Sequence, residues 1–255
     1  MWGSMAVFRW LSFFCVLTYH SCVSQLVSLD VCADQWVLEL IKPQYISALS
    51  HLAQNPQFSY LAEDAQAFPR HNSSLEQIQK LAPRYLIADG FLHPFKKKSF
   101  EKKGWKVIVL PPIRAIKDFT QRTKVLRGHL PPHYFKESDK SHAMIPHASH
   151  THKSVLVISS SGQIHGQHTP GDLLLKSTGL KNQAGHIGLQ PMTIEAVCSD
   201  PPSMILIAEL DHRQTRYLKK ILKQRAQPYT DLDPKFLMCP TPWHLKHLSK
   251  TIGPS

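Results

Sequence analysis

The sequence lacks the short motifs that identify many hydrolases and nucleotide-binding enzymes. It contains no phosphate-binding P-loop, no dinucleotide-binding glycine fingerprint and no zinc-protease motif. The serine-rich segment 159–162 lacks the small flanking residues of a nucleophile elbow. Because no catalytic group can be named, the sequence predicts a protein that is not an enzyme and that carries no resident cofactor.

Acidic residues are scarce relative to basic ones. The chain of 255 residues has 30 Lys and Arg but 18 Asp and Glu, which gives a formal charge of +12. Its lysine clusters at 96–98, 102–103 and 219–220 are not interleaved with aromatic residues, and no nucleic-acid-binding motif is present. The charge therefore indicates solvated helix faces, with an anionic ligand or membrane surface as the alternative, and no nucleic-acid partner.

Long apolar runs are absent after residue 24. Before that point, Arg9 precedes the apolar segment 10–17, and residues 22–24 supply the small side chains of a cleavage site. This layout predicts a secretory signal peptide over residues 1–24, with an uncleaved anchor or a lipid-modified Cys22 as alternatives. We therefore expect an exported protein, which we take to be a monomer.

Cysteine is scarce as well. Removal of the signal peptide would leave Cys32, Cys198 and Cys239. Export favours a disulfide, and an odd number of cysteines leaves one thiol over. The sequence alone does not decide which two of the three residues pair.

Strand and helix patterns alternate along the remainder of the chain. In residues 25–112 this alternation is typical of a parallel, doubly wound sheet. One long helix is predicted within residues 113–135, and the histidine-rich residues 136–153 are predicted to form a surface connection. The alternation resumes in residues 154–255, with a strand expected at 236–238. The predicted fold class is α/β, with two Rossmann-like lobes joined by a single long helix and a ligand cleft between the lobes.

One sequence unit occurs in both halves of the chain. Glu76 and Glu195 each follow a helix-start signal and precede an apolar helix face, a proline and a buried strand. Ser73 and Glu76 fit a capping box, and Thr193 places Glu195 in a first helical turn, where the helix dipole favours a carboxylate. A unit that is used twice predicts two similar lobes.

Six further segments occur in a characteristic order, at residues 27–34, 46–53, 74–78, 170–174, 179–182 and 239–243. Together they resemble the periplasmic substrate-binding proteins of ABC importers for iron chelates and cobalamin, although Arg84 and Pro202 replace an aspartate that is common in that family. The resemblance implies a periplasmic location and a ferric siderophore, haem or cobalamin bound between the lobes. It also implies an ABC permease as partner, which Glu76 and Glu195 would contact through its arginines.

The loops after the predicted strands give the candidate ligand-binding residues, because ligands of open α/β sheets lie at the carboxyl ends of the strands. The predicted set is Asp30, Cys32, Asp34, Ser50, His51, Asp89 and Phe91 in the first lobe, and Ser160, His165, His168, Glu209 and Trp243 in the second. Phe91 and Trp243 could stack on a planar chelate, with packing as the alternative. His165 and His168 could ligate haem iron, with an ordinary loop position as the alternative.

Two other functions stay open at this point. Histidines at 142, 147, 150 and 152 could bind Zn²⁺, Ni²⁺ or Cu²⁺. Three or four His, Asp and Glu side chains converging in the cleft would indicate an exported binding protein for a free Zn, Mn or Fe ion. A nucleophile and a base within hydrogen-bonding distance would instead indicate a secreted α/β enzyme.

Overall fold

The computed structural model describes residues 25–137, 153–208 and 213–252. The predicted signal peptide, the histidine-rich stretch 142–152 and Glu209 lie outside the described residues. Within them the chain forms two α/β lobes, each with its own sheet. No helix in the described part of the chain has both the length and the apolar character that a membrane span requires.

The first lobe contains a sheet whose described strands are all parallel. Its strands are β1 (Leu26–Ser28), β2 (Ile46–Ser50), β3 (Arg70–His71), β4 (Tyr85–Asp89) and β5 (Lys106–Leu110), in the spatial order β3-β2-β1-β4-β5. Its helices are α1 (Val31–Leu40), α2 (Ala62–Ala65), α3 (Leu75–Lys80), α4 (Pro94–Glu101) and α5 (Lys117–His129), with short 3₁₀ turns at Pro43–Tyr45 and Pro132–Tyr134.

Successive residues of the central strands pack on opposite faces of this sheet. Leu26 belongs to the apolar cluster that contains Trp36 of α1. Its neighbour Val27 packs in a separate cluster with Ile78 of α3 and Phe100 of α4. Because side chains alternate along a strand, helices cover both faces, which confirms the predicted doubly wound arrangement.

The second lobe contains a mixed sheet in the order β11-β10-β6-β7-β9, with β8 paired to β6. Its strands are β6 (Ser154–Ile158), β7 (Gln163–His165), β8 (Lys181–Asn182), β9 (Leu189–Pro191), β10 (Met204–Ala208) and β11 (Tyr229–Leu232). Its helices are α6 (Pro170–Ser177), α7 (Ile194–Ser199), α8 (Arg213–Gln224), α9 (Pro234–Met238) and α10 (Pro242–Ile252). Pairing is parallel except at β7, which runs antiparallel to both β6 and β9.

The strand expected at 236–238 is wrong, because these residues end helix α9. Asp233 caps this helix by accepting a hydrogen bond from the backbone N of Lys235 at 3.0 Å. Pro234 occupies the first helical position, where its missing N–H costs nothing. A local capping signal therefore outweighs the β-like run of apolar residues that follows it.

The two lobes share a packed interface. Trp36 of the first lobe meets Trp243 of the second edge-to-face, with ring centroids 5.3 Å apart. Tyr60 stacks on the fully buried His244 at 4.4 Å. A disulfide joins Cys32 to Cys239, and Cys198 is free among the cysteines in the described part of the chain. These contacts fix the lobes against each other on the side of α1 and α10.

Helix α5 packs on the first lobe, with Phe119 and Leu126 in its core. After the helix, Phe135 forms a β-bridge with Ile41, and the backbone N of Lys136 donates to the carbonyl oxygen of Leu40 at 2.9 Å. The chain therefore returns to the first lobe beyond α5. That α5 is the single connection between the lobes stays a prediction, because residues 138–152 lie outside the described part.

Candidate ligand-binding site

A cavity of about 380 Å³ opens at the carboxyl end of the first sheet. The strand order reverses between β1 and β4, since β2 and β3 lie on one side of this pair and β5 on the other. Such a switch point is where open α/β sheets bind their ligands. The cavity is lined by Leu29, Asp30, Val31, Cys32, His51, Asn72, Ser73, Asp89, Phe91, Leu92, His93 and Lys96.

Five of the predicted first-lobe residues line this cavity: Asp30, Cys32, His51, Asp89 and Phe91. The Phe91 side chain is 88% exposed, so an apolar ring stands at the cavity without a packing role in the core. The volume lies within the range of roughly 300–1,000 Å³ that is typical of small-molecule sites. The geometry therefore suits a ligand with an apolar surface and a few polar groups.

Asp30 organises the two loops that form the cavity. Its Oδ1 accepts a hydrogen bond from the backbone N of Ala33 at 2.9 Å, which caps α1. Its Oδ2 accepts another from the backbone N of Asp89 at 2.8 Å, which ties the loop after β1 to the end of β4. Burial raises the pKa of Asp30, and the two backbone hydrogen bonds oppose that rise.

Asp89 is held by an arginine that the sequence did not single out. Arg122 Nη2 lies 2.8 Å from Asp89 Oδ1, and both side chains are buried. Arg122 Nε donates to the carbonyl oxygen of Pro111 at 2.7 Å, and its guanidinium lies 5.6 Å from the centroid of Trp36. The sequence does contain a sign of this buried arginine, because residue 122 lies on the same helix face as the apolar Phe119 and Leu126.

Asp34 and Ser50 bind each other away from the cavity. Ser50 donates to Asp34 through its hydroxyl, at 2.5 Å, and through its backbone N, at 3.1 Å. Both residues are buried, so the pair links α1 to the end of β2. Burial raises the pKa of Asp34 to about 7, although the hydrogen bonds from Ser50 act to lower it.

We predict that Asp34 makes the protein less stable as pH rises from about 4 to about 7. The unfolded chain loses this proton near the ordinary pKa of 3.8, whereas the folded chain keeps it until pH is about 7. The folded state therefore binds more protons in this window, and its free energy of unfolding falls by up to roughly 4 kcal/mol across it. Urea unfolding of the wild type and of Asp34→Asn at several pH values measures the difference. An identical pH dependence in both proteins would refute this assignment.

The described walls of the cavity include none of the predicted second-lobe residues. His165 is buried, accepts a hydrogen bond from the backbone N of Gly171 at 3.3 Å, and has its pKa lowered by burial to about 4. Ser160 lies in the turn between β6 and β7, and His168 is exposed before α6. Trp243 packs against Trp36, which is the alternative that the sequence left open.

Glu76 and Glu195 occupy equivalent positions in the two lobes. Ser74 caps α3 and Thr193 caps α7, so each glutamate is the second residue of its helix. Both glutamates are exposed. Helix α3 leads to β4 and helix α7 leads to β10, which are the corresponding parallel strands of the two sheets.

The expected capping box between Ser73 and Glu76 is wrong. Ser73 has a φ of 60°, and its hydroxyl donates to the carbonyl oxygen of Leu29 at 2.6 Å. The side chain that reaches back belongs to Gln77, whose Oε1 accepts from the backbone N of Asn72 at 2.8 Å. Glu76 instead forms an exposed pair with Lys80 at 2.8 Å. The Glu76 carboxylate therefore contributes to the local structure only through this ion pair and its favourable interaction with the helix dipole.

One group of potential metal ligands lies at the cavity. Donor atoms of Asp30, Cys32 and Asp89 all lie within 4.8 Å of one another. Cys32 Sγ is bonded to Cys239, however, and Asp89 is paired with Arg122. The trio therefore does not offer three free ligands to a metal ion, and the disulfide also removes Cys32 as a nucleophile.

Comparison with known proteins gives structural neighbours only. No protein-family model and no curated protein sequence matches the chain. The structure is similar to a periplasmic haem-binding protein from Pseudomonas aeruginosa, with 22% identity, a TM-score of 0.64, and coverage of 91% of this chain and 93% of that one. It is also similar to HutB, a periplasmic haem-binding protein of Vibrio cholerae, with 14% identity, a TM-score of 0.66, and coverage of 91% and 99%.

A third neighbour is described as a possible iron-binding, periplasmic solute-binding protein from Staphylococcus epidermidis. It shares 18% identity with this chain at a TM-score of 0.62, with coverage of 89% of this chain and 98% of that one. In each comparison the match extends over both lobes of this chain and almost the whole of the neighbour. The chain therefore has the two-lobed α/β fold of the periplasmic haem-binding proteins.

Proposed function

We propose that this chain is the solute-binding component of an ABC importer. It captures a metal chelate, such as a ferric siderophore, haem or cobalamin, and delivers it to a permease. The observation that carries this proposal is the cavity at the β1–β4 switch point, in a chain with the fold of periplasmic haem-binding proteins. The predicted signal peptide over residues 1–24 supports a periplasmic location.

The cavity is suited to bind without a large rearrangement. Asp30 and the Arg122–Asp89 pair hold its loops, and the Cys32–Cys239 disulfide anchors one lining residue to the second lobe. The exposed ring of Phe91 offers a face on which a planar or macrocyclic ligand can stack. A preformed site of this kind loses little conformational entropy on binding, which favours high affinity.

Two matched phenylalanine variants test the proposal. Iron protoporphyrin, a ferric siderophore and cyanocobalamin are titrated separately against the protein, with tryptophan fluorescence as the signal. We expect saturable binding of one of them, weakened by about 1–3 kcal/mol in Phe91→Ala if the ring is an anchor. Phe95→Ala is the control, because Phe95 is 76% exposed on α4 but does not line the cavity.

The rival function predicts a different pattern in the same titrations. An exported receptor for a free metal would give no saturable response to any of the three chelates but would bind Zn²⁺ or Mn²⁺ tightly. Equal effects of Phe91→Ala and Phe95→Ala would show that a chelate binds elsewhere on the molecule. The first result would overturn the proposed function, and the second would overturn the assignment of this cavity as the binding site.

A further inference from the structure

The cavity exposes basic groups at its rim while its acidic groups are engaged by the protein. Lys96, His51 and His93 line it together with Asp30 and Asp89. Asp30 accepts two backbone hydrogen bonds, and Asp89 is 5% exposed and paired with Arg122. A ligand entering the cavity therefore meets the charges of the basic side chains more directly than those of the carboxylates.

Lys96 is the lysine among the residues that line the cavity. Its Nζ lies 5.9 Å from the centroid of Phe100, so its stem follows an apolar surface and is half-buried. In the described part of the chain Lys96 forms no ion pair, whereas Lys80, Lys97 and Lys176 each pair with a carboxylate of their own helix. A half-buried ammonium that has no ion-pair partner among the described residues is a site that favours an anion.

The imidazoles extend the same surface. His93 caps α4 by accepting a hydrogen bond at Nδ1 from the backbone N of Phe95, at 3.2 Å, which leaves its Nε2 for another partner. His51 is exposed after β2. Burial lowers the pKa of His71, and the charges of His51 and Lys96 lower it further, although the hydrogen bond to Ser28 acts in the opposite direction.

His71 itself adds no charge to this surface. Its Nε2 lies 2.8 Å from the carbonyl oxygen of Ser28, and its Nδ1 accepts a hydrogen bond from the backbone N of Ser73 at 2.9 Å. These two contacts fix the neutral form with a proton on Nε2. The positive charge of the rim therefore comes from Lys96, and His51 and His93 contribute imidazole nitrogens that can hydrogen-bond a ligand.

We infer that this rim, through Lys96, selects chelates that carry carboxylate or other anionic groups over uncharged or cationic ones. The inference rests on the proposed function and narrows its ligand. Haem, with two propionates, and an anionic ferric catecholate fit this class. Cyanocobalamin, which has no net charge, and the cationic ferrioxamine B do not. The anionic groups would lie against Lys96, and the apolar part of the chelate against Phe91.

Ligand pairs that differ in charge test this inference. Iron protoporphyrin is compared with its dimethyl ester, and ferric enterobactin with ferrioxamine B, by fluorescence titration at low and high salt. We expect the anionic member of the bound pair to bind at least about tenfold more tightly, which corresponds to one charge-assisted hydrogen bond. That preference should shrink as salt is added.

Two lysine variants locate the effect. Lys96→Gln should remove most of the preference by weakening the anionic ligand while leaving the ester or the cationic chelate unchanged. Lys98→Gln is the matched control, because Lys98 is exposed on the same helix and does not line the cavity. Equal affinity for both members of each pair, tighter binding of cyanocobalamin, or an equal loss in both variants would overturn the inference and leave chelate binding standing. If no chelate binds at all, the proposed function fails and this inference fails with it.

Discussion

Glu76→Lys combined with Glu195→Lys should abolish uptake of the bound chelate and leave its affinity unchanged. The two glutamates are exposed, lie at the same position of equivalent helices in the two lobes, and do not line the cavity. The family that the sequence resembles uses one such acidic residue per lobe to meet arginines of its permease. Reversal of both charges would turn two attractions into repulsions across the docking surface.

A control variant with the same change in net charge distinguishes a specific docking role of the two glutamates from a general effect of added positive charge. Glu63 and Asp200 are exposed acidic residues, one in each lobe, outside the cavity and outside α3 and α7. Glu63→Lys with Asp200→Lys should leave uptake normal. A purely local role for Glu76 and Glu195 at their helix starts predicts a loss of stability of about 0.3–1 kcal/mol at each site, with normal transport. Normal uptake by the fully occupied Glu76→Lys, Glu195→Lys protein would remove the docking assignment.

Arg122→Met should lower the free energy of unfolding by about 3–5 kcal/mol, because it leaves Asp89 buried without its partner. The side chains of Arg122 and Asp89 are 4% and 8% exposed, so water cannot replace the guanidinium. Arg122→Met with Asp89→Asn should cost less, since no unpaired charge then remains. Urea unfolding measures both variants against Lys124→Met, an exposed change on the same helix. A loss below about 1 kcal/mol in Arg122→Met would contradict the assignment of this pair as a support of the cavity.

Secondary structure was predicted best from the sequence where the local pattern of residues agrees with the tertiary environment. The strands at Tyr85–Asp89 and Met204–Ala208 are continuous apolar runs apart from the terminal Asp89, and both are interior strands of their sheets with buried side chains. The error at 236–238 came from reading three apolar residues without the capping aspartate and proline before them. The three-residue strands β7 and β9 pair antiparallel and carry too few apolar residues to be recognised by periodicity.

Most of the predicted first-lobe residues do line the cavity, and there is a physical reason why the sequence could place them there. Loops after parallel strands converge at one edge of a sheet, so Asp30, Asp89 and Phe91 could be placed together from strand assignments alone. Neither the disulfide partner of Cys32 nor the contact of Arg122 follows from local sequence, because each depends on segments far apart in the chain. Lys96 was taken for part of a solvated helix face, and only the packing of α4 shows that it lines the cavity.

Native mass spectrometry of protein purified from the cells that make it tests the central claim most directly. We predict one metal chelate bound per wild-type chain, and a clearly lower occupancy in His51→Trp, in which the larger indole would obstruct part of the cavity of about 380 Å³ from an exposed position that the core does not need. Wild-type protein without a chelate after growth in its presence, or equal chelate occupancy in both proteins, would contradict the claim that this cavity holds the transported solute.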